Sequence, residues 1–240
     1  MYKRQALAIG LGVQVAAEAA VAAAVMWLTA LVAARYLGTG SVRTEGASGL
    51  HLPSRAVLPL AGLVVLIAFV EGGLTDWGGV YLDQGVGASA STAAMAYAAL
   101  SLGLFIGRIV GDRAKDRVGS IRLMQGGMFL AAVAITVMLL VGNQWIALVG
   151  MVAAGLGIAN TIPQIFGAAA RIPPGGPSLS AVFTTLTLAF IAGPAIIGTT
   201  SDLIGISGAF WLFAIASLVV ALLVSRVPAA ETNPDFRQQS

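Results

Sequence analysis

Apolar residues run through this chain in long unbroken blocks, separated by short polar breaks. Seven blocks stand out: Ala6–Ala34, Ala56–Leu82, Ser91–Val110, Leu123–Val141, Trp145–Ala169, Leu179–Thr200 and Ser207–Val224. A helix rises about 1.5 Å per residue, so about 20 apolar residues cross the roughly 30 Å hydrocarbon layer. The blocks are continuous rather than alternating, and a membrane strand would span only about 10 residues, so helices are predicted and not a barrel. The expected fold class is therefore all-α, with about seven transmembrane helices. The first block opens on Lys3 and Arg4, as a secretory signal does, but it is too long for a signal core and carries Gln14 and Glu18. It reads as a span, with an interfacial or cleaved segment as the alternative.

Composition supports a lipid partner. Hydrophobic residues make up 58% of the 240 residues, charged residues only 10%, and the mean hydropathy is +0.91. A soluble domain carries about 25% charged residues, so too few charges are present here to cover a water-facing surface. With no cysteine and one histidine, His51, there is no disulfide framework and no histidine-based zinc centre. No metal and no cofactor is expected. The pI near 9.7 does not imply nucleic acid, because the bases sit at the ends of apolar blocks, where anionic lipid headgroups attract them. Arg35, Arg43, Arg55, Arg108, Arg113, Lys115, Arg117, Arg122, Arg171, Arg226 and Arg237 all fall on one side of the predicted topology, and only Lys3 and Arg4 on the other. That bias puts the first side in the cytoplasm, together with the C-terminus.

The longest polar stretch, residues 35–55, contains Gly38, Gly40, Ser41, Gly46, Ser48, Gly49 and Pro53 and reads as a flexible cytoplasmic linker. It divides the chain into a single helix (1–34) and a six-helix bundle (56–225); the tail, 226–240, with Pro228, Glu231 and Pro234, reads as disordered. Within the bundle an echo recurs. Gly107, Asp116 and Gly119 are followed 86 residues later by Gly193, Asp202 and Gly205, with the same 9 and 3 spacing. Both sets close the middle span of a three-span group, as a 3+3 inverted repeat would arrange them; chance recurrence among 30 glycines is the alternative.

The segment from Gly107 to Arg122, Gly-Arg-Ile-Val-Gly-Asp-Arg-Ala-Lys-Asp-Arg-Val-Gly-Ser-Ile-Arg, joins the third and fourth spans. It resembles the cytoplasmic signature loop of the major facilitator superfamily. Asp116-Arg117-Val118-Gly119 matches the centre of that signature; Asp112 stands at its preceding glycine position, with Gly111 one step early, and Ser120 stands where a base is common. The resemblance maps this loop between the eighth and ninth of twelve helices. It implies that 56–225 is the C-terminal half of a transporter and that 1–34 is the last helix of a missing N-terminal half, which also accounts for the misplaced Lys3 and Arg4. A second stretch, from Glu71 to Leu82, resembles the seventh helix of the bacterial branch near the fucose-permease-like transporters. Physically, Arg108, Asp112, Arg113, Asp116 and Arg117 beside Gly119 can form charge-assisted bonds to each other and to nearby helix ends. They are candidates for a gate latch; a solvated turn that only enforces topology is the plainer reading.

Charged side chains at membrane depth are costly, so each is a functional candidate. Glu71 lies near the middle of its span, and Asp76 lies five residues further along, about 140° around a regular helix. The Gly72-Gly73 and Gly78-Gly79 pairs around Asp76 and Trp77 permit a kink. A carboxyl group stripped of water favours its protonated form, which makes Glu71 the candidate carrier of a coupled proton; a structural pairing is the alternative. Asp76 is as suited to capping as to function, and Trp77 to interface anchoring more than to stacking on a sugar. Asn160 and Gln164 share one helix face around Pro163, positioned either to line a cavity or to bond a neighbouring helix. Glu18 is alone in the first span. Thr184, Thr185 and Thr187 read as bonding their own backbone, and Gly103, Gly107 and Gly111 as a close-packing stripe. Gly155-Leu156-Gly157 lacks a preceding strand and a third glycine, so it is no dinucleotide loop.

These features predict transport of a small polar solute or drug-like compound by alternating access, coupled to protons and not to ATP, in the bacterial inner membrane. On this reading the chain alone lacks half of the usual cavity and does not transport as a monomer. A non-transporting membrane subunit that pairs with a separately encoded N-terminal half is the alternative. An embedded enzyme is disfavoured, since no histidine, cysteine or catalytic aspartate pair lies in a span.

Overall fold

The structure, a computed structural model, describes residues 55–227 other than Pro174, together with positions 24, 27–29, 31 and 35. Those six positions are helical. The remainder of the predicted first span with Glu18, most of the linker and the tail beyond Val227 lie outside the described residues. The chain divides into two units, Met1–Leu50 and His51–Ser240; the second contains the bundle.

The bundle consists of α1 (Leu58–Val80), α2 (Ala90–Val118), α3 (Ser120–Val141), α4 (Gln144–Ile158), α5 (Thr161–Ala170) and α6 (Gly175–Leu223). A 3-10 turn, Arg55–Val57, leads into α1, and a π turn, Tyr81–Gly85, leads out of it. No strand occurs among the described residues. Five helical stretches are long and apolar enough to cross a membrane, but the last, Gly175–Arg226, has 52 residues. At 1.5 Å per residue that is about 78 Å, more than twice the hydrocarbon thickness. Gly205, at φ 78° and ψ 162°, breaks it into limbs 175–204 and 206–223. α4 and α5 form one crossing, interrupted at Ala159 and Asn160. The described residues thus make six crossings.

The predicted repeat has a conformational counterpart. Gly119 adopts φ 83° and ψ 158°, nearly the angles of Gly205. This region is open in practice only to glycine. Each of the two residues forms a one-residue joint between the second and third crossings of its triplet, 86 positions apart.

Packing fixes the helix directions. A Cβ on Gly103 would land on the Val152 carbonyl, and one on Gly107 would fall 2.6 Å from the Ala159 Cβ, so α2 and α4 run parallel. Gly127 and Gly157 approach each other backbone to backbone, and Gly150 faces Met138, so α3 and α4 run antiparallel. Gly193 faces Phe69, and Gly198 faces Trp77, so α1 and the first limb of α6 run parallel. The second limb runs back, with Phe210 stacked on Tyr81 at 4.6 Å and Phe213 tilted against Phe69 at 5.1 Å. The Tyr81 hydroxyl donates to the Met138 carbonyl at 2.9 Å, tying the π turn after α1 to α3. With these directions, Arg55, Arg113, Lys115, Arg117, Arg122, Arg171 and Arg226 share one end of the bundle, the basic end. Asp83, Asn143 and Asp202 lie at the opposite end.

Two sequence expectations hold. Thr184, Thr185 and Thr187 each donate to the carbonyl four residues back, at 2.8–3.0 Å. The Gly103, Gly107 and Gly111 stripe is a packing seam. The α3–α4 turn is short, and the Asn143 Oδ1 caps α4 by accepting from the N–H groups of Trp145 and Ile146. Two expectations need correction. The signature segment is not a loop, because α2 stays helical through Val118 and only Gly119 separates it from α3. The glycine pairs in α1 do not kink it, because α1 is regular from Leu58 to Val80. Gly72 and Gly73 instead seat the rings of Phe190 and Phe213, and Gly79 lets α2 approach at Ala93.

Candidate functional site

Glu71 is half-buried in the middle of α1, on the face that presents Gly78 to α2, since seven residues make nearly two turns. Its own carbonyl accepts the Thr75 hydroxyl at 2.7 Å. The Arg108 guanidinium on α2 acts on it electrostatically. The Arg108 motif belongs to the gate segment, and its influence on Glu71 depends on tertiary packing of α2 against α1.

Asp76 is exposed and lies towards the opposite end. With Asp83 and Gln84 it lines a shallow cavity of about 410 Å³ between α1 and α2. Trp77 is half-buried against Gly198 and the core, so its indole is engaged in helix packing.

Asn160 sits at the α4–α5 break. Pro163 has no N–H to give the Ala159 carbonyl, and the helix interrupts there. The Asn160 Nδ2 donates to the Gly107 carbonyl at 2.7 Å, and its amide lies over Gly111. Asn160 thus bonds a neighbouring helix. Gln164 lies one turn further on, half-buried, its N–H donating to the Asn160 carbonyl at 3.3 Å. The Thr161 hydroxyl beside the break is buried without a protein partner among the described residues, a feature that no sequence motif signalled.

Because α2 remains helical, Asp112 and Asp116 form one row at its basic end, with Arg113 and Arg117 in the adjacent row. Opposite charges then stand three apart, as Asp112 with Lys115 and Arg113 with Asp116. All of these side chains are exposed. Lys115 and Arg117 also complement the negative end of the helix dipole. Asp112, Arg113, Asp116 and Arg117 are not joined to one another by a hydrogen bond or contact ion pair.

Six apolar crossings in two glycine-jointed triplets, with a carboxylate at membrane depth and a basic end, define a multi-pass membrane protein of the transporter class. Residues 60–239 match the sequence profile of the Major Facilitator Superfamily, and the chain belongs to that family. It is 29% identical over 198 residues to an uncharacterized MFS-type transporter of Yersinia pestis, covering 82% of this chain and 52% of that protein. Over 188 residues it is 30% identical to the uncharacterized transporter y4wD of Sinorhizobium fredii, covering 76% and 50%. Over 167 residues it is 29% identical to the membrane protein MosC of Rhizobium meliloti, covering 68% and 41%. The chain therefore spans about half the length of the curated relatives it matches. No solved structure matches it.

Proposed function

We propose that this bundle is one half of a proton-coupled secondary transporter that moves a small polar solute or drug-like compound by alternating access. It works with a second six-span bundle, in the bacterial inner membrane, with its basic end in the cytoplasm. The supporting observation is Glu71, a half-buried carboxylate at mid-helix; the described aspartates all lie nearer helix ends. Glu71 carries the proton, and the charged end of α2 opens and closes the cytoplasmic face. No covalent step is involved.

The test is reconstitution into liposomes of the chain co-expressed with a six-span N-terminal half, screened against a panel of sugars and amphipathic drugs. An active solute should move protons with it, and Glu71→Gln should abolish the pH dependence of uptake. Uptake by Glu71→Gln with an unchanged pH profile would remove Glu71 from this role. Uptake by the purified monomer would contradict the need for a second bundle.

A further inference from the structure

We propose that Arg108 on α2 is the charge partner of Glu71 on α1, a pair formed across the α1–α2 interface at membrane depth and positioned by Asn160. This rests on the reading of Glu71 as proton carrier and states what faces it.

The register of the two helices carries the argument. A Cβ on Gly78 would lie 3.5 Å from the Ala96 Cβ, and one on Gly79 3.3 Å from the Ala93 carbonyl oxygen. From that shared level Glu71 lies seven residues towards the basic end, and Arg108 lies twelve. The axial offset is about 7–8 Å. In a helix the Cα–Cβ bonds tilt towards the N-terminus. α1 begins at the basic end, so the Glu71 side chain leans towards it. α2 begins at the opposite end, so the Arg108 side chain leans away from the basic end. The two lean towards each other across an offset that an arginine side chain spans.

The other charges on the packed helices lie elsewhere. Asp76 and Asp83 are towards the opposite end, as is Asp202 on α6. Asp112, Arg113, Lys115, Asp116 and Arg117 continue α2 towards the basic end, joined there by Arg122, Arg171 and Arg226. Among the described residues, Arg108 is thus the base nearest Glu71 in depth, and an unpaired charge at that depth is costly.

Arg108 is also held. The preceding carbonyl, Gly107, accepts the Asn160 amide at 2.7 Å, and Gly111 on the next turn lies beneath the same amide. Asn160 stands at the α4–α5 break. A rearrangement at the break therefore carries Arg108 towards or away from Glu71. Asn160 is a positioning residue, and the path links the carboxylate to the gate end of α2.

The test is a double-substitution cycle on the full chain in lipid nanodiscs, read by thermal unfolding. Arg108→Gln should lower Tm by about 2–4 °C, whereas Arg108→Gln added to Glu71→Gln should change it by less than half as much. Arg108→Lys should stay near the parent value, and the exchanged pair Glu71→Arg with Arg108→Glu should recover part of the loss of either single change. The cycle repeated on Asn160→Ala should show weaker coupling. Additive losses, or a loss from Arg108→Lys as large as from Arg108→Gln, would overturn the pairing. The chain has no cysteine, so Glu71→Cys with Arg108→Cys gives a second readout. A bifunctional thiosulfonate spanning about 10 Å should cross-link that pair, and Glu71→Cys with Arg113→Cys should not react. Failure of the first pair to cross-link would also overturn the proposal. Additive losses together with pH-dependent uptake that needs Glu71 would sink the pairing alone. Coupling together with uptake by Glu71→Gln at an unchanged pH profile would sink the proton-carrier reading alone.

Discussion

Helix α4 meets its neighbours backbone to backbone, whereas α1 meets α6 through rings. At the α2–α4 and α3–α4 seams, Gly103, Gly107, Gly127, Gly155 and Gly157 bring main chains so close that an added methyl would strike a carbonyl, an amide or a backbone carbon. At the α1–α6 seam, Gly72 and Gly73 are sockets for Phe190 and Phe213, with Phe69, Tyr81 and Phe210 filling the space between. Lipid tails are as apolar as leucine, so burial of apolar surface does not drive helices together in a bilayer, and close packing must. The chain achieves it in two ways. One contact cannot be adjusted, because both partners are main chain. The other is adjustable, because one partner is a side chain.

Substitutions can break this contrast. Gly103→Ala drives a methyl into the Val152 carbonyl and should cost about 3 kcal/mol, at the upper end of overpacking losses, with no second-site side-chain change restoring it. Thermal unfolding in detergent checks this. Gly73→Ala meets the Phe213 ring first, so it should cost about 1–3 kcal/mol. Adding Phe213→Leu should return part of that loss, a suppression with no counterpart at Gly103. If Gly103→Ala were as easily suppressed, the distinction between the seams would disappear. Asn160→Ala should be milder, about 1 kcal/mol for one interhelical hydrogen bond, with a matching fall in Tm.

The sequence shows these seams unequally. Hydropathy locates all six crossings because each must be apolar over the hydrocarbon depth. It misses helix ends that leave the lipid: α2 continues eight residues beyond the predicted Val110, through charged turns that water and headgroups support. The Gly103–Gly111 stripe is legible from its four-residue spacing, since both partners follow helical periodicity. The Gly72-Gly73 pair is not, because its meaning depends on rings 118 and 140 residues away in sequence, at Phe190 and Phe213. Arg108 is illegible for the same reason, since its motif points to the gate segment and its relation to Glu71 depends on how α2 packs on α1. Asn160 and Gln164 read from their spacing as sharing one face, but only the structure shows Asn160 bonded to Gly107.

The two-triplet bundle exists only if Gly205 divides the 175–223 run into two crossings. Because the chain lacks cysteine, single cysteines at Gly142, Pro173, Asp202 and Arg226 can be probed in sealed, oriented vesicles with a membrane-impermeant thiol reagent. Six crossings require that positions 173 and 226 react from one face and positions 142 and 202 from the other. A run that crossed only once would place 173 and 226 on opposite faces, and that result would contradict the two-triplet bundle.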